Sequence, residues 1–209
     1  MRQIPLPLGT GAASGPSRIV VGSANAALID AVAQAVDWPF RTAVLFGPPR
    51  SGKSLLARWF AESGAGEAID DAEALDEADL FHRWNRAQES GRPLLLVANA
   101  NEGGWTITLP DLASRMGAAL HLEIGEPDDA MLAELIAVHA EMRGMALGPD
   151  AAAYLVPRAT RSHLGIEVLI SAIDRLSLER KQAPTMAVWR EALDELAEEL
   201  DAQRQPRLI

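Results

Sequence analysis

Eight consecutive residues carry the clearest chemical signal in the chain: Gly47, Pro48, Pro49, Arg50, Ser51, Gly52, Lys53 and Ser54. They fit the phosphate-loop spacing GxxxxGK[ST]. Each part answers a physical need. The glycines let the backbone curl so that its N–H groups point inward, and a helix beginning at the loop adds the positive end of its dipole. Lys53 is placed to reach the β and γ phosphates of a nucleotide, and the Ser54 hydroxyl to hold Mg²⁺. Arg50 is not a required position within the loop and is read as solvated. A hydrolytic site also needs an acid on a neighbouring strand, and "EAIDDAEAL" offers Asp70 and Asp71. Only Ala68 and Ile69 precede that pair as an apolar run, shorter than a buried strand calls for. The interval from Lys53 to Asp70 barely accommodates one helix and a turn. Two readings stay open: acids of a hydrolytic site, or a solvated loop or helix cap. Under the second, nucleotide is bound but poorly hydrolysed.

The segments around the loop must hold it in place. "TAVLFGPPRSGKSLLARWFAES" reads as an apolar strand, the glycine loop and a helix in succession. In "RIVVGSANAALIDAVAQAV" a β-branched run meets Gly22, Ser23 is available as a cap, and Leu28, Ile29, Val32 and Val36 recur at helical spacing. A second buried strand, "PLLLVAN", follows the amphipathic "ADLFHRWNRAQESG", whose Gly91 is a helix stop. Strands alternating with helices predict an α/β fold, a parallel sheet with helices on both faces. From Asp128 to Leu200 the chain reads as helices broken at "RGMALGP" and "KQAPT", a small helical lobe, ending in the polar tail "DAQRQPRLI" with no further domain expected. The division is thus an arm and tether over 1–17, an α/β lobe over 18–126 and a helical lobe over 127–209.

With 209 residues the chain is long enough for a full core, and 29 acidic against 19 basic residues give a net charge of −10. That field repels a phosphate backbone, so strong direct DNA binding is not expected. The chain has no cysteine, which excludes disulfides and thiolate metal sites and suits the cytoplasm. Its four histidines lack ligand spacing, no apolar run approaches a membrane span, and no secretion signal opens the chain.

The opening is unusual. Gln3, Ile4, Pro5, Leu6, Pro7 and Leu8 place aliphatics and alternating prolines where termini ordinarily carry polar residues, and "GTGAASGPS" follows as a flexible tether. The hexapeptide is expected to hang outside the fold, the alternatives being that it folds back over the protein's own core or is merely disordered.

Taken in order, "VVGSAN", the phosphate loop, "IDD", "LPDLASRM" and "TMAVWREAL" resemble the AAA+ ATPase region of the bacterial replication initiator DnaA. With "DLFHRWNRAQESGRPLLLVAN" and "LPDLASR", the chain is more similar still to the Hda family of DnaA-related regulators. The resemblance covers essentially the whole chain. It implies an AAA+ sheet with a helical lid, ADP or ATP with Mg²⁺ between them, and adenine near Val21, Gly22 and Asn25. It places Asn99 at the sensor position and Arg115 at an arginine finger presented to a neighbouring subunit's nucleotide. The lid arginine of the family falls on Leu164, and Arg161, on roughly the same helix face, is the candidate substitute. The short interval before Asp70 implies that the sheet's edge strand and its helix are reduced or absent, and the two departures together imply a weak ATPase. The resemblance also implies that Gln3 to Leu8 bind the DNA polymerase sliding clamp: the Gln3 amide donates and accepts, Leu6 and Leu8 anchor, and the prolines keep the segment extended. The implied function is negative control of replication initiation by promoting hydrolysis of DnaA-bound ATP, with self-assembly left open. Two rivals stand beside it: an autonomous P-loop ATPase or small-molecule kinase, and a nucleotide-independent docking adaptor.

Overall fold

The computed structural model describes residues 2–5, 18–99 and 105–204. They form two compact units, Met1–Gly125 and Glu126–Ile209.

The first unit is built on a parallel sheet. Its strands are β3 (Thr42–Phe46), β4 (Glu67–Ile69), β5 (Leu94–Val97) and β6 (Leu120–Glu123), in the order β4-β5-β3-β6. Every pair is parallel, and Val44 lies opposite both Leu96 and His121. Because side chains alternate along a strand, the central pair feeds two cores. Ala43, Leu45, Leu95 and Val97 face α1 (Ala26–Ala33) and α2 (Lys53–Glu62), where Leu28, Val32, Leu56 and Phe60 are buried. Val44, Leu94 and Leu96 face α3 (Glu77–Ser90) and α4 (Pro110–Ala118), which bury Leu80, Trp84, Leu112 and Met116. Burial on both faces explains the unbroken apolar run of β5.

Among the described residues the sheet ends at β4, so the expected reduction of its edge is present. An edge strand buries little, which is why three residues with only Ile69 fully buried suffice there. Gly66 makes that edge possible: a Cβ on it would lie 2.3 Å from the Pro93 carbonyl and 2.6 Å from the Phe60 ring. The Pro93 carbonyl accepts the first ladder bond from Glu67 N at 2.8 Å. Gly66→Ala is therefore expected to cost roughly 1–3 kcal/mol, the range for overpacking. A thermal melt with an unchanged midpoint would refute this account of the β4 junction.

Three expectations are corrected here. The opening segment does not hang outside the fold over all its length: Arg2–Pro5 forms β1, antiparallel to β2 (Arg18–Val21), with Gln3 opposite Val20. The physical reason is that β2 alone would present an open backbone edge, and an extended segment supplies its partner. Leu6, Pro7 and Leu8 lie outside the described residues. Ser23 does not cap α1; Asn25 takes the N-cap position. Val36 is not on the apolar face of α1, which ends at Ala33, and it is 66% exposed.

The second unit is helical: α5 (Asp129–Met142), α6 (Pro149–Leu155), α7 (His163–Arg180) and α8 (Met186–Arg204). Asp128 caps α5 through Met131 N, and Ser162 caps α7 through Gly165 N at 2.9 Å. Arg175 pairs with Glu195 and Arg180 with Glu191, tying α7 to α8. Among the described residues no helix is long and apolar enough to cross a membrane.

Candidate functional site

The phosphate loop joins β3 to α2 and adopts the backbone its sequence calls for. Gly47 has φ 155° and Gly52 φ 92°, and Arg50 between them is left-handed at φ 63°. A Cβ on Gly47 would meet Ile124 at 2.9 Å and the Ser51 hydroxyl at 3.2 Å, so glycine is required by space as well as by torsion. Gly52 occupies the N-cap of α2 with no side-chain cap bond, which leaves the first helical N–H groups for an anion. Lys53 is 5% exposed, and its Nζ donates to Gly47 O at 2.9 Å and Pro48 O at 3.0 Å. Burial pushes its pKa down, while Asp70, Glu73 and Asp71 push it up. The Ser51 hydroxyl is buried without a hydrogen-bond partner among the described residues, and Ser54 is exposed. An uncapped helix start, a curled glycine backbone and a lysine held inside it fit a nucleotide's phosphates, and the exposed Ser54 hydroxyl fits their Mg²⁺. Pro48 is partly buried and Pro49 exposed.

Asp70 follows β4 directly, which resolves the doubt about its strand: the strand is short because it is the edge. Asp71 has φ 50° and its Oδ1 accepts from Asn99 Nδ2 at 2.5 Å, so the second acid and Asn99 meet at the ends of adjacent strands. Glu73, which the sequence reading passed over, joins them. Its Oε1 accepts from Asn99 N at 2.8 Å, and its Oε2 is buried with no hydrogen-bond partner among the described residues. The only signal for it is its place in "IDDAE", one turn beyond Asp70.

Val21, Gly22 and Asn25 form the turn from β2 into α1. The Asn25 side chain is 4% exposed and engaged at both ends: Oδ1 accepts from Gly22 N at 2.9 Å, and Nδ2 donates to Val20 O at 2.8 Å. Asn25 therefore shapes the turn, and any base contact there falls to the backbone. The turn is joined to the phosphate-loop strand through the end of β6, because Ile124 N bonds Phe46 O at 3.0 Å and Gly125 N bonds Ala24 O at 3.0 Å.

Arg115, on α4, does not project freely. Its guanidinium carbon lies 4.1 Å from the Trp84 ring centroid and 5.2 Å from that of Phe81, both on α3. Trp84 Nε1 in turn donates to Thr42 Oγ1 at 3.1 Å, at the start of β3. Thr42 and Gly47 sit at opposite ends of that strand, roughly 16 Å apart at the ordinary rise of an extended chain.

The start of α4 is held by Glu77, also missed from sequence. Its carboxylate accepts from Thr108 N at 2.8 Å, Thr108 Oγ1 at 2.9 Å and Leu109 N at 2.6 Å. The Thr108 backbone bond, then that of Leu109, holds the Glu77 pKa below the usual carboxylate value.

Arg161 needs a correction. It lies outside the helix that carries Leu164, because Ser162 caps α7 and the helix begins at His163. Arg161 instead pairs with Asp129 Oδ1 at 2.5 Å, an exposed pair, and Leu164 is 42% exposed.

No protein-family model matches the chain. A Haemophilus influenzae protein described as uncharacterized is 26% identical over 132 residues, covering 60% of this chain and 57% of its own length. Among solved structures, domain III of the Thermotoga maritima replication initiation protein DnaA has a TM-score of 0.68 at 14% identity, covering 84% of this chain and 93% of that one. The AMPPCP-bound DnaA of Aquifex aeolicus gives 0.58 at 18%, over 78% of this chain and 65% of that one. The Thermotoga maritima RuvB Holliday junction branch migration motor gives 0.59 at 16%, over 84% and 70%. The chain shares the fold of these structures, a parallel α/β sheet of the AAA+ type with helices on its faces. The chain spans less than two thirds of the length of the Haemophilus relative and of the Aquifex DnaA.

Proposed function

We propose that this protein binds an adenine nucleotide and restrains replication initiation by promoting hydrolysis of ATP bound to DnaA. The observation that carries the reading is the placement of Arg115. Stacked on Trp84 toward the opposite end of β3 from the phosphate loop, it is poorly sited to serve its own chain's nucleotide and suited to one bound by a neighbour. A guanidinium fork stabilises charge on a transferring phosphoryl group, the service an arginine finger provides in trans. The Ser54 hydroxyl and the carboxylates of Asp70, Asp71 and Glu73 complete the nucleotide side, with ADP or ATP and Mg²⁺ as its occupants. The direct test is ADP formation by ATP-loaded DnaA during titration with the full chain. No stimulation at any ratio would end the proposal.

The amino-terminal segment, Gln3 to Leu8, is proposed as the sliding-clamp ligand. The reading is supported by the extended backbone of its first part, the form in which a peptide adds to a protein surface at low entropic cost, and it requires β1 to leave its pairing with β2 on docking. Co-elution of the full chain with the clamp on gel filtration is expected, and its loss in a Gln3→Ala, Leu6→Ala double variant. Equal co-elution by the double variant would remove these residues from the interaction.

One observation favours a second reading. Asn99 is hydrogen-bonded to both Asp71 and Glu73, which gathers a polar group and two acids at the strand ends where a chain that hydrolyses its own nucleotide would place them. Steady turnover by the isolated chain, abolished by Lys53→Ala, would establish it.

A further inference from the structure

Glu77, Phe81 and Trp84 fall at i, i+4 and i+7 of α3 and so line one face of that helix. All three serve the same neighbour. Glu77 gathers the N–H groups of Thr108 and Leu109 just before α4, a carboxylate placed at the positive end of the helix dipole. Phe81 and Trp84 take the Arg115 guanidinium from the last turn of the same helix. The Trp84 ring is itself fixed, 4% exposed and bonded to Thr42 on the central strand. Arg115 Nε is buried without a hydrogen-bond partner among the described residues, so stacking on the rings is what orients that end of the side chain. A long, rotamer-rich side chain left to itself would populate many directions, and freezing it at the moment of docking would oppose the reaction.

We infer that this face of α3 is a positioning platform for the finger: Glu77 sets the register of α4, and the Phe81 and Trp84 rings hold the Arg115 guanidinium in one preorganised direction. The inference rests on the reading of Arg115 as the trans-acting finger. Glu77, Phe81 and Trp84 touch no reacting atom. They act through Arg115, and so determine the rate at saturation rather than the strength of docking.

The test uses the full chain as wild type, Glu77→Ala, Glu77→Gln and Phe81→Leu, and reads two quantities. The first is the Arg115 Nε–H resonance in a nitrogen-labelled sample, identified by its disappearance in Arg115→Lys. Stacked over Trp84, that proton is displaced by the ring current. The second is hydrolysis of DnaA-bound ATP against concentration of the chain. In Glu77→Ala the ring-current displacement is expected to shrink and the maximal rate to fall about tenfold, with the half-saturating concentration within twofold of wild type. Phe81→Leu is expected to lower the maximal rate in the same sense without touching the α4 start. Glu77→Gln, which keeps an accepting oxygen, is expected to recover part of both losses. An unchanged resonance in Glu77→Ala, or a raised half-saturating concentration at unchanged maximal rate, overturns the platform. Absence of stimulation by wild type sinks the regulatory function itself, and the resonance alone then decides whether α3 orients Arg115.

Discussion

Arg115→Ala is expected to abolish stimulated hydrolysis of DnaA-bound ATP, with the rate falling by roughly 10³-fold or more toward that of DnaA alone, the scale on which arginine fingers act. Arg115 takes no part in the phosphate loop of its own chain, so binding of nucleotide to the variant should match wild type. Arg115→Lys is expected to restore little, since an ammonium lacks the planar fork. The variant needs a stability control, because the guanidinium covers Trp84 and Phe81 and its loss uncovers apolar surface. A folded Arg115→Ala protein that stimulates DnaA normally would remove the finger, and with it the observation on which the trans reading stands.

The second large effect belongs to Lys53→Ala. The lysine supplies a charge-assisted contact to phosphate, and its removal is expected to weaken ADP and ATP binding by roughly 30- to 150-fold, about 2–3 kcal/mol. Calorimetric titration reads this directly. Two further consequences follow from the geometry. Gly47 O and Pro48 O lose their donor, so the empty loop should become less ordered. Asp70, Asp71 and Glu73 lose the cation they act on and are left facing one another's charge. A variant that binds nucleotide as wild type does would show that the loop is an ordinary turn.

What could be read from the sequence was whatever is encoded locally. The phosphate loop is contiguous, and its glycines, lysine and serine fell in the structure where their types require. The stop of α3 at Gly91 was legible for the same reason: its left-handed φ of 66° is a property of one residue. The run before Asp70 is too short for a central strand but long enough for an edge one, and edge position is a fact of sheet order that no local window contains. Arg161 falls outside α7 because Ser162 caps that helix, and a serine in "ATRSHLG" does not by itself mark which residue begins the helix. Glu77 and the stacking of Arg115 were out of reach altogether. They depend on contacts between residues some 30 positions apart, made only once α3 and α4 lie side by side on one face of the sheet.

The order β4-β5-β3-β6 has a consequence for the growing chain. The strand that carries the phosphate loop is made first of the four, yet it lies between two strands made later, with Leu94–Val97 on one side and Leu120–Glu123 on the other. One edge of β3 waits for Leu94–Val97 and the other for Leu120–Glu123, so both are satisfied only once the ribosome has released its chain past Gly125, and parallel pairings of such long sequence separation form slowly. Nucleotide capture during synthesis should therefore begin abruptly, late in translation of the first unit, rather than when the glycine loop itself emerges. Until then "TAVLF" and "PLLLVA" travel as exposed apolar segments, the stretch of synthesis in which this protein most needs a chaperone.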